Sequence, residues 1–325
     1  MSLDLPKLIT EDDYYDLYDD TPRWDALIEA LIRDEKIEVS QKPERLSRGT
    51  NLLYHLDEGR ILKVYPDIFH EDATIERDYM RIIQRAKLGL PSPALLKEGV
   101  WRGWPYMVME RFEGLRIVER DRMTWPREVP HEDRVHIVAQ IGAWMRASHE
   151  SALFQGVTLP EKWRDWGATS ARFLQEVATR HKSESLPKGW LEQIQPYFDD
   201  FDPMEFPLRN VHADLHGGNI LISDASGRWE VSCVLDFADT LHATAPYDLV
   251  PTLAWIIQGD EVLAHTLYKS VLDSADLEKL HAKNMMQWLL LHRFCRLHAL
   301  LTYIDHFKHH TSMDTLARAI TCLPE

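Results

Sequence analysis

The chain has 325 residues and 45% hydrophobic content, enough for a buried core in one large domain or two modest lobes. Its 37 Lys and Arg face 52 Asp and Glu, and the formal net charge of -15 argues against general affinity for nucleic acid or an anionic membrane while permitting a cationic ligand. Three scattered cysteines lack metal-ligand or disulfide spacing, the N-terminus shows no basic-then-apolar leader, and the longest apolar run, Met285 to Ile304, is broken by His292, Arg293, Arg296 and His298, so a cytoplasmic protein without a membrane span is expected.

Trp24, Leu27, Ile28, Leu31 and Ile32 stand at helical spacing, which predicts an amphipathic helix over 23–36 within an N-terminal helical extension, residues 1–40. From about Glu44 the pattern changes to strand, followed by the turn Ser47-Arg-Gly-Thr50, a strand Asn51–Leu56, a turn at Asp57-Glu-Gly59 and a strand Ile61–Tyr65. A helix over about 72–87, carrying Ile75, Tyr79, Ile82 and Ile83, is ended by Pro91 and Pro93. Two strands then flank the turn Trp101–Trp104, the second running Tyr106–Glu110. Residues 41–112 therefore read as a small antiparallel-sheet lobe with one helix. Glu113-Gly114 marks the passage to a larger, mainly helical lobe, residues 113–325, and the fold class is α+β. In that lobe Val135, Val138, Ile141 and Met145 make an apolar stripe on a helix ending near His149, and further helices are expected over about 161–182, 247–270 and 275–304. A short β insertion, Val211-His212, Ile220–Ile222 and Val231–Leu235, turns at Ser226-Gly227.

The insertion carries the chemistry. In His212-Ala-Asp-Leu-His-Gly-Gly-Asn219 a carboxylate and an amide stand five positions apart, and a turn through Gly217-Gly218 can aim both the same way. A hydroxyl is a poor nucleophile at neutral pH, so a carboxylate within hydrogen-bond reach must orient it and take its proton; Asp214 suits that task. Asn219 offers an uncharged oxygen and Asp236, after an apolar strand, an anionic one, the hard ligands that magnesium takes alongside phosphate oxygens. Lys63 sits in the apolar strand Ile61–Tyr65, where reaching the α- and β-phosphates while held by a glutamate accounts for it better than a snorkelling edge lysine. Glu76 is preferred over Glu71 as that partner, because it shares a helix face with Met80 and Ile83. The turn containing Ser47 and Gly49 can lay N–H groups over phosphates, and the backbone from Met109 through Glu110 to Phe112 can meet adenine. The pattern is that of a phosphotransferase using ATP and Mg2+.

These residues resemble the aminoglycoside phosphotransferase and choline kinase-like group of the protein-kinase-like fold, over about Leu46 to the last helices. The resemblance rests on the Gly49 loop, Lys63, Glu76, the Met109–Phe112 crossing, the His212–Leu221 segment, the Leu235–Asp239 segment and Tyr247-Asp248. It implies a two-lobed fold, Asp214 as catalytic base, Asn219 and Asp236 as magnesium ligands, Lys63 as the phosphate lysine with Glu76, and His212, Asp248 and the helix ending in His149 as braces of the catalytic loop. His216 stands where Ser/Thr kinases carry lysine, Asp236-Phe-Ala238 lacks their final glycine, and the short run to Tyr247-Asp248 leaves no room for an activation loop. The implied acceptor is the hydroxyl of a small molecule, an aminoglycoside, amino alcohol or sugar-like compound; the alternatives are a protein Ser/Thr kinase of the same fold and a catalytically inactive nucleotide-binding scaffold. Trp163, Trp166 and Trp288 read as core or as an aromatic wall, Arg293 and Arg296 as partners of an anionic substrate or of the abundant acids, and His306, His309 and His310 as a solvated helix end.

Overall fold

The computed structural model describes residues 4–46, 49–119, 123–152, 160–182 and 186–324, which form two compact units: residues up to Arg85 with Ser92–Phe112, and Ala86–Pro91 with Glu113 onwards. Among the described residues no helix is long and apolar enough to cross a membrane.

The first unit begins with α1 (Glu11–Leu17), closed by a capping box between Thr10 and Asp13 that satisfies N–H groups the helix leaves unpaired. Helix α2 (Thr21–Asp34) buries Trp24, Leu27, Ile28 and Leu31. An antiparallel five-stranded sheet follows, β1 (Glu44–Leu46), β2 (Leu52–Asp57), β3 (Arg60–Val64), β4 (Leu95–Trp101) and β5 (Trp104–Glu110), in the order β1-β2-β3-β5-β4, with α3 (His70–Ala86) inserted after β3. The α2 segment is fastened to the sheet by ring packing and by hydrogen bonds from the polar tips of three buried aromatics, Tyr54, Trp101 and Tyr106. Trp24 meets Trp104 at 6.2 Å between ring centroids, Tyr54 donates to Asp25 at 2.9 Å, Trp101 to Asp34 at 3.0 Å and Tyr106 to Glu35 at 2.8 Å.

The second unit holds two small sheets in a helical surround. Strands β6 (Leu115–Arg116), β8 (Ile220–Ser223) and β9 (Glu230–Val234) pair antiparallel in the order β6-β8-β9, and β7 (Leu208–Val211) pairs with β10 (Leu241–Thr244). The helices are α4 (His131–Glu150), α5 (Glu161–Arg164), α6 (Trp166–Lys182), α7 (Leu191–Ile194), α8 (Ala245–Thr252), α9 (Glu261–Val271), α10 (Ser274–Glu278), α11 (Ala282–Leu291), α12 (Leu297–Tyr303) and α13 (Met313–Thr321). Helices α4 and α9 approach so closely that a Cβ on Gly142 would stand 2.4 Å from the Cβ of Ser270. Trp166 and Trp288 are both buried and stack at 6.2 Å, with Tyr247 and Phe173 completing an aromatic core, so these indoles are packing and not a wall.

The helix expected over 161–182 is divided at extended Asp165 between α5 and α6, and the two longer ones expected from apolar spacing are divided as well. The 247–270 pattern becomes α8, a π-helical turn Leu253–Ile257, left-handed Gln258 and Gly259, then α9 capped by Asp260. The 275–304 pattern breaks at His292–Arg296, between α11 and α12. In both cases apolar residues keep their period through the break because the flanking turns stay buried, so periodicity alone cannot register a change of axis.

Candidate functional site

Strand β7 ends at Val211, and from there every residue to Asn219 is fixed by a specific bond. The His212 ring donates from Nε2 to the Leu235 carbonyl at 3.0 Å and accepts the Asp214 N–H at Nδ1, 3.3 Å away, which sets its tautomer. Ala213 adopts φ 63°, a left-handed conformation costly for a residue with a Cβ, and its N–H donates to Asp248 Oδ1 at 2.8 Å. Asp248, in the first turn of α8, bonds through its other oxygen to His149 Nε2 at 2.8 Å, in the last turn of α4. Thr252 donates to the Leu215 carbonyl at 2.8 Å, and Val118 to that of Gly217 at 3.2 Å. Gly217 is needed there, since a Cβ would lie 2.8 Å from Val118 Cβ and 2.9 Å from its backbone nitrogen. Gly218 N–H donates to His216 Nδ1 at 2.9 Å.

Asn219 closes the loop. Its N–H donates to the His216 carbonyl at 2.9 Å, and its amide nitrogen donates both to the Asp214 carbonyl at 3.0 Å and to the Asp214 carboxylate at 3.2 Å. The amide nitrogen is thereby committed, and the amide oxygen is the atom turned from Asp214. Asp236 follows β9, and Ile220 of β8 pairs with Val234 of β9, so strand pairing brings Asn219 and Asp236, seventeen positions apart in sequence, to neighbouring ends. Asp236 also takes φ 63°.

Burial, followed by the charges of Asp239 and Asp236, raises the Asp214 carboxyl well above the usual range, with Arg293 and the Asn219 bond opposing them. Burial also pushes the His216 imidazole down to about 4, so the ring 3.6 Å from Asp214 is neutral at neutral pH. The Asp214 and Asp236 carboxylates, with the Asn219 amide oxygen at the adjoining strand end, supply the hard oxygen atoms that suit a divalent cation. Among the described residues no three His, Cys, Asp or Glu side chains form a metal group, His306 and His310 included.

In the first unit, Lys63 Nζ lies 2.6 Å from Glu76 Oε2, and both side chains are buried. Tyr65 also donates to Glu76, and Lys63 Nζ sits 5.2 Å from the Tyr65 ring centroid. Glu71 lies exposed in the first turn of α3. Gly49 takes φ 83° and its carbonyl accepts from Tyr18 at 2.7 Å, whereas Ser47 lies outside the described residues. Met109 stands in β5, paired with Ile61 and Leu95 on either side, and the N–H groups of Glu110 and Arg111 are bonded to Ala94 and Gly59 ahead of Phe112. Sequence reasoning did not single out Tyr65 or Asp239. Tyr65 follows β3 on the alternation face of Lys63 and Asp239 closes the Leu235–Asp239 segment, so each stood in a readable pattern that gave its side chain no role.

No curated protein matches the chain in sequence. Among solved structures it is similar to the GDP complex of wild-type aminoglycoside 2'-phosphotransferase-IIIa, with 15% identity over 82% of this chain and 88% of that one at a TM-score of 0.65. It is also similar to the streptomycin–ATP–APH(2")-IIa ternary complex (15% identity, 81% and 89% coverage, TM-score 0.58) and to macrolide 2'-phosphotransferase MphH from Brachybacterium faecium (14% identity, 93% and 99% coverage, TM-score 0.58). These likenesses establish a shared fold, that of the aminoglycoside and macrolide phosphotransferases. The sequence pattern described as the phosphotransferase enzyme family matches residues 44–282, which include both the Lys63 pair and the Asp214 loop, and the chain belongs to that family.

Proposed function

We propose that the protein transfers the γ-phosphoryl group of ATP to a hydroxyl of a small molecule, with Mg2+. The observation that carries this reading is the hydrogen-bonded Asp214–Asn219 pair beside Asp236. Asp214 orients the acceptor hydroxyl and takes its proton as the new O–P bond forms and the bond from the γ-phosphorus to the bridging oxygen breaks, releasing ADP. Asn219, through its amide oxygen, and Asp236 would hold the metal. Magnesium, when bound there, would supply positive charge that offsets the phosphates and the neighbouring carboxylates. Lys63, oriented by Glu76 and Tyr65, takes the α- and β-phosphates, the loop at Gly49 covers them, and the segment that runs from Met109 and Glu110 to Phe112 meets adenine at its Phe112 end. In this reading residues 41–112 bind nucleotide, residues 113–325 supply catalysis and acceptor contacts, and residues 1–40 extend the first of these. Nucleotides in similar structures, GDP in one and ATP in another, support nucleotide use.

The test is ADP release across a panel of hydroxylated acceptors. Asp214→Asn should lower turnover about 10²–10⁴-fold, the usual weight of a general base, and leave nucleotide affinity unchanged. Near-normal turnover in that variant would remove the base assignment.

A further inference from the structure

The chain is strongly acidic, yet arginines gather beside the catalytic loop. Arg293 donates to the Asp239 carboxylate at 2.8 Å, three residues beyond Asp236, and its guanidinium lies 4.7 Å from the Trp163 ring centroid. Arg172 lies 4.9 Å from the same indole and 5.5 Å from Phe173. One indole thus carries two guanidinium groups, and both positions come from α6 and the α11–α12 break, which frame one face of the second unit. Arg180 joins the group, 6.0 Å from Phe173 and bonded to the carbonyls of Leu291 and His292 at 3.0 Å each, immediately before Arg293. The nearest carboxylate to Arg172 is Glu176 at 3.9 Å, too far for a hydrogen bond, and Glu176 is shared with Arg180 at 3.7 Å. Stacking on an aromatic occupies the face of a guanidinium and leaves its N–H edge for a planar or tetrahedral oxyanion, an edge that Arg293 shares with Asp239 and Arg172 presents beside it. Guanidinium groups gathered on one indole repel one another, and an anionic ligand between them offsets that repulsion.

We propose that the acceptor bears an anionic group, a carboxylate or a phosphate, held by Arg172 and Arg293 beside Trp163. This rests on the phosphotransfer reading and sharpens it, since a polycationic aminoglycoside would meet like charge there. Arg293 is a positioning residue as well, through its bond to Asp239.

The experiment has two arms on the full-length protein. In the first, matched acceptors sharing one polyol skeleton, neutral, amino, carboxylate and phosphate forms, are compared by ADP release. The anionic forms should have a kcat/KM about tenfold or more above the neutral form, the scale of one charge-assisted hydrogen bond, and the better of the two identifies the anion. Arg172→Gln should raise the acceptor KM by the same factor with kcat and the ATP KM unchanged, and Arg172→Lys should recover part of it. Preference for the neutral or amino form, or an unchanged acceptor KM in Arg172→Gln, overturns the proposal. In the second arm, with ADP and Mg2+ saturating, sodium sulfate should raise the melting temperature above sodium chloride at equal ionic strength, and Arg172→Gln should lose that increment. Absence of the increment overturns the anion site. If it is present while no acceptor consumes ATP, the anion site stands and the phosphotransfer reading is what fails.

Discussion

Burying a lysine and a glutamate removes two charges from water, and Lys63 and Glu76 are kept in place only because each answers the other, with Tyr65 adding a donor. Glu76→Ala, which strands the ammonium, should destabilise the protein by about 3–5 kcal/mol, whereas Lys63→Met combined with Glu76→Leu should recover most of that stability. Urea midpoints of the three proteins check this, and equal losses for the single and double variants would contradict it. The pair was legible because a lysine between Leu62 and Val64 breaks an apolar strand and so demands a partner. Tyr65 was not, since a tyrosine in a strand is unremarkable until its hydroxyl is seen. Arg293 was left undecided for the same kind of reason: sequence shows a charge, and only the fold shows Asp239 and Trp163 on either side of it.

At the scale of elements, the strands of the first unit, β8, β9 and α3 were readable because alternation and Pro or Gly punctuation coincide with their ends, whereas β6 and β10 are too short to show alternation. The breaks in the C-terminal helices were not. Asp260 shows why the break after the π-helical turn is real: its carboxylate accepts from Leu263 N–H at 3.0 Å and from His131 at 2.8 Å, starting α9 anew. Burial alone would raise the Asp260 carboxyl, yet the bonds from Leu263 and His131 outweigh it and leave it lowered. The stabilisation is therefore present above the ordinary aspartate range and lost as pH falls through the lowered folded value. Asp260→Ala should cost about 1 kcal/mol at neutral pH, typical of an N-cap. The gap between wild type and variant, followed by thermal unfolding, should begin to narrow at about pH 4, the unfolded aspartate value, and shrink further as pH falls through the lowered folded value. A gap that stayed constant down to pH 3 would show that the cap is not what Asp260 contributes.

For the molecule as a whole, the family pattern covers 44–282, while α1, α2 and everything after the start of α11 lie outside it. Those segments are nonetheless structural: Trp24 packs on Trp104, and α11 carries Trp288 into the aromatic core. Their tertiary partners are remote in sequence, so a reading by local pattern could place the helices but not their neighbours. A ligand that binds only the folded chain stabilises it by mass action. A non-hydrolysable ATP analogue with Mg2+ at a hundred times its Kd should add about 2.7 kcal/mol, seen as a rise in melting temperature. In Asp236→Ala the magnesium-dependent part of that rise should vanish and the part given by nucleotide alone should remain. An undiminished magnesium increment would displace Asp236 from metal binding.

The left-handed backbone of Ala213 and Asp236 has one further consequence. Neither residue is glycine, so each holds a conformation its Cβ resists, at about 1–3 kcal/mol, and that of Ala213 is sustained by its bond to Asp248, itself held by His149. Such a loop gives way before the helices that brace it. In a gentle titration with denaturant, turnover should fade at concentrations where circular dichroism still reports an intact fold, and re-dilution from that range should restore it fully.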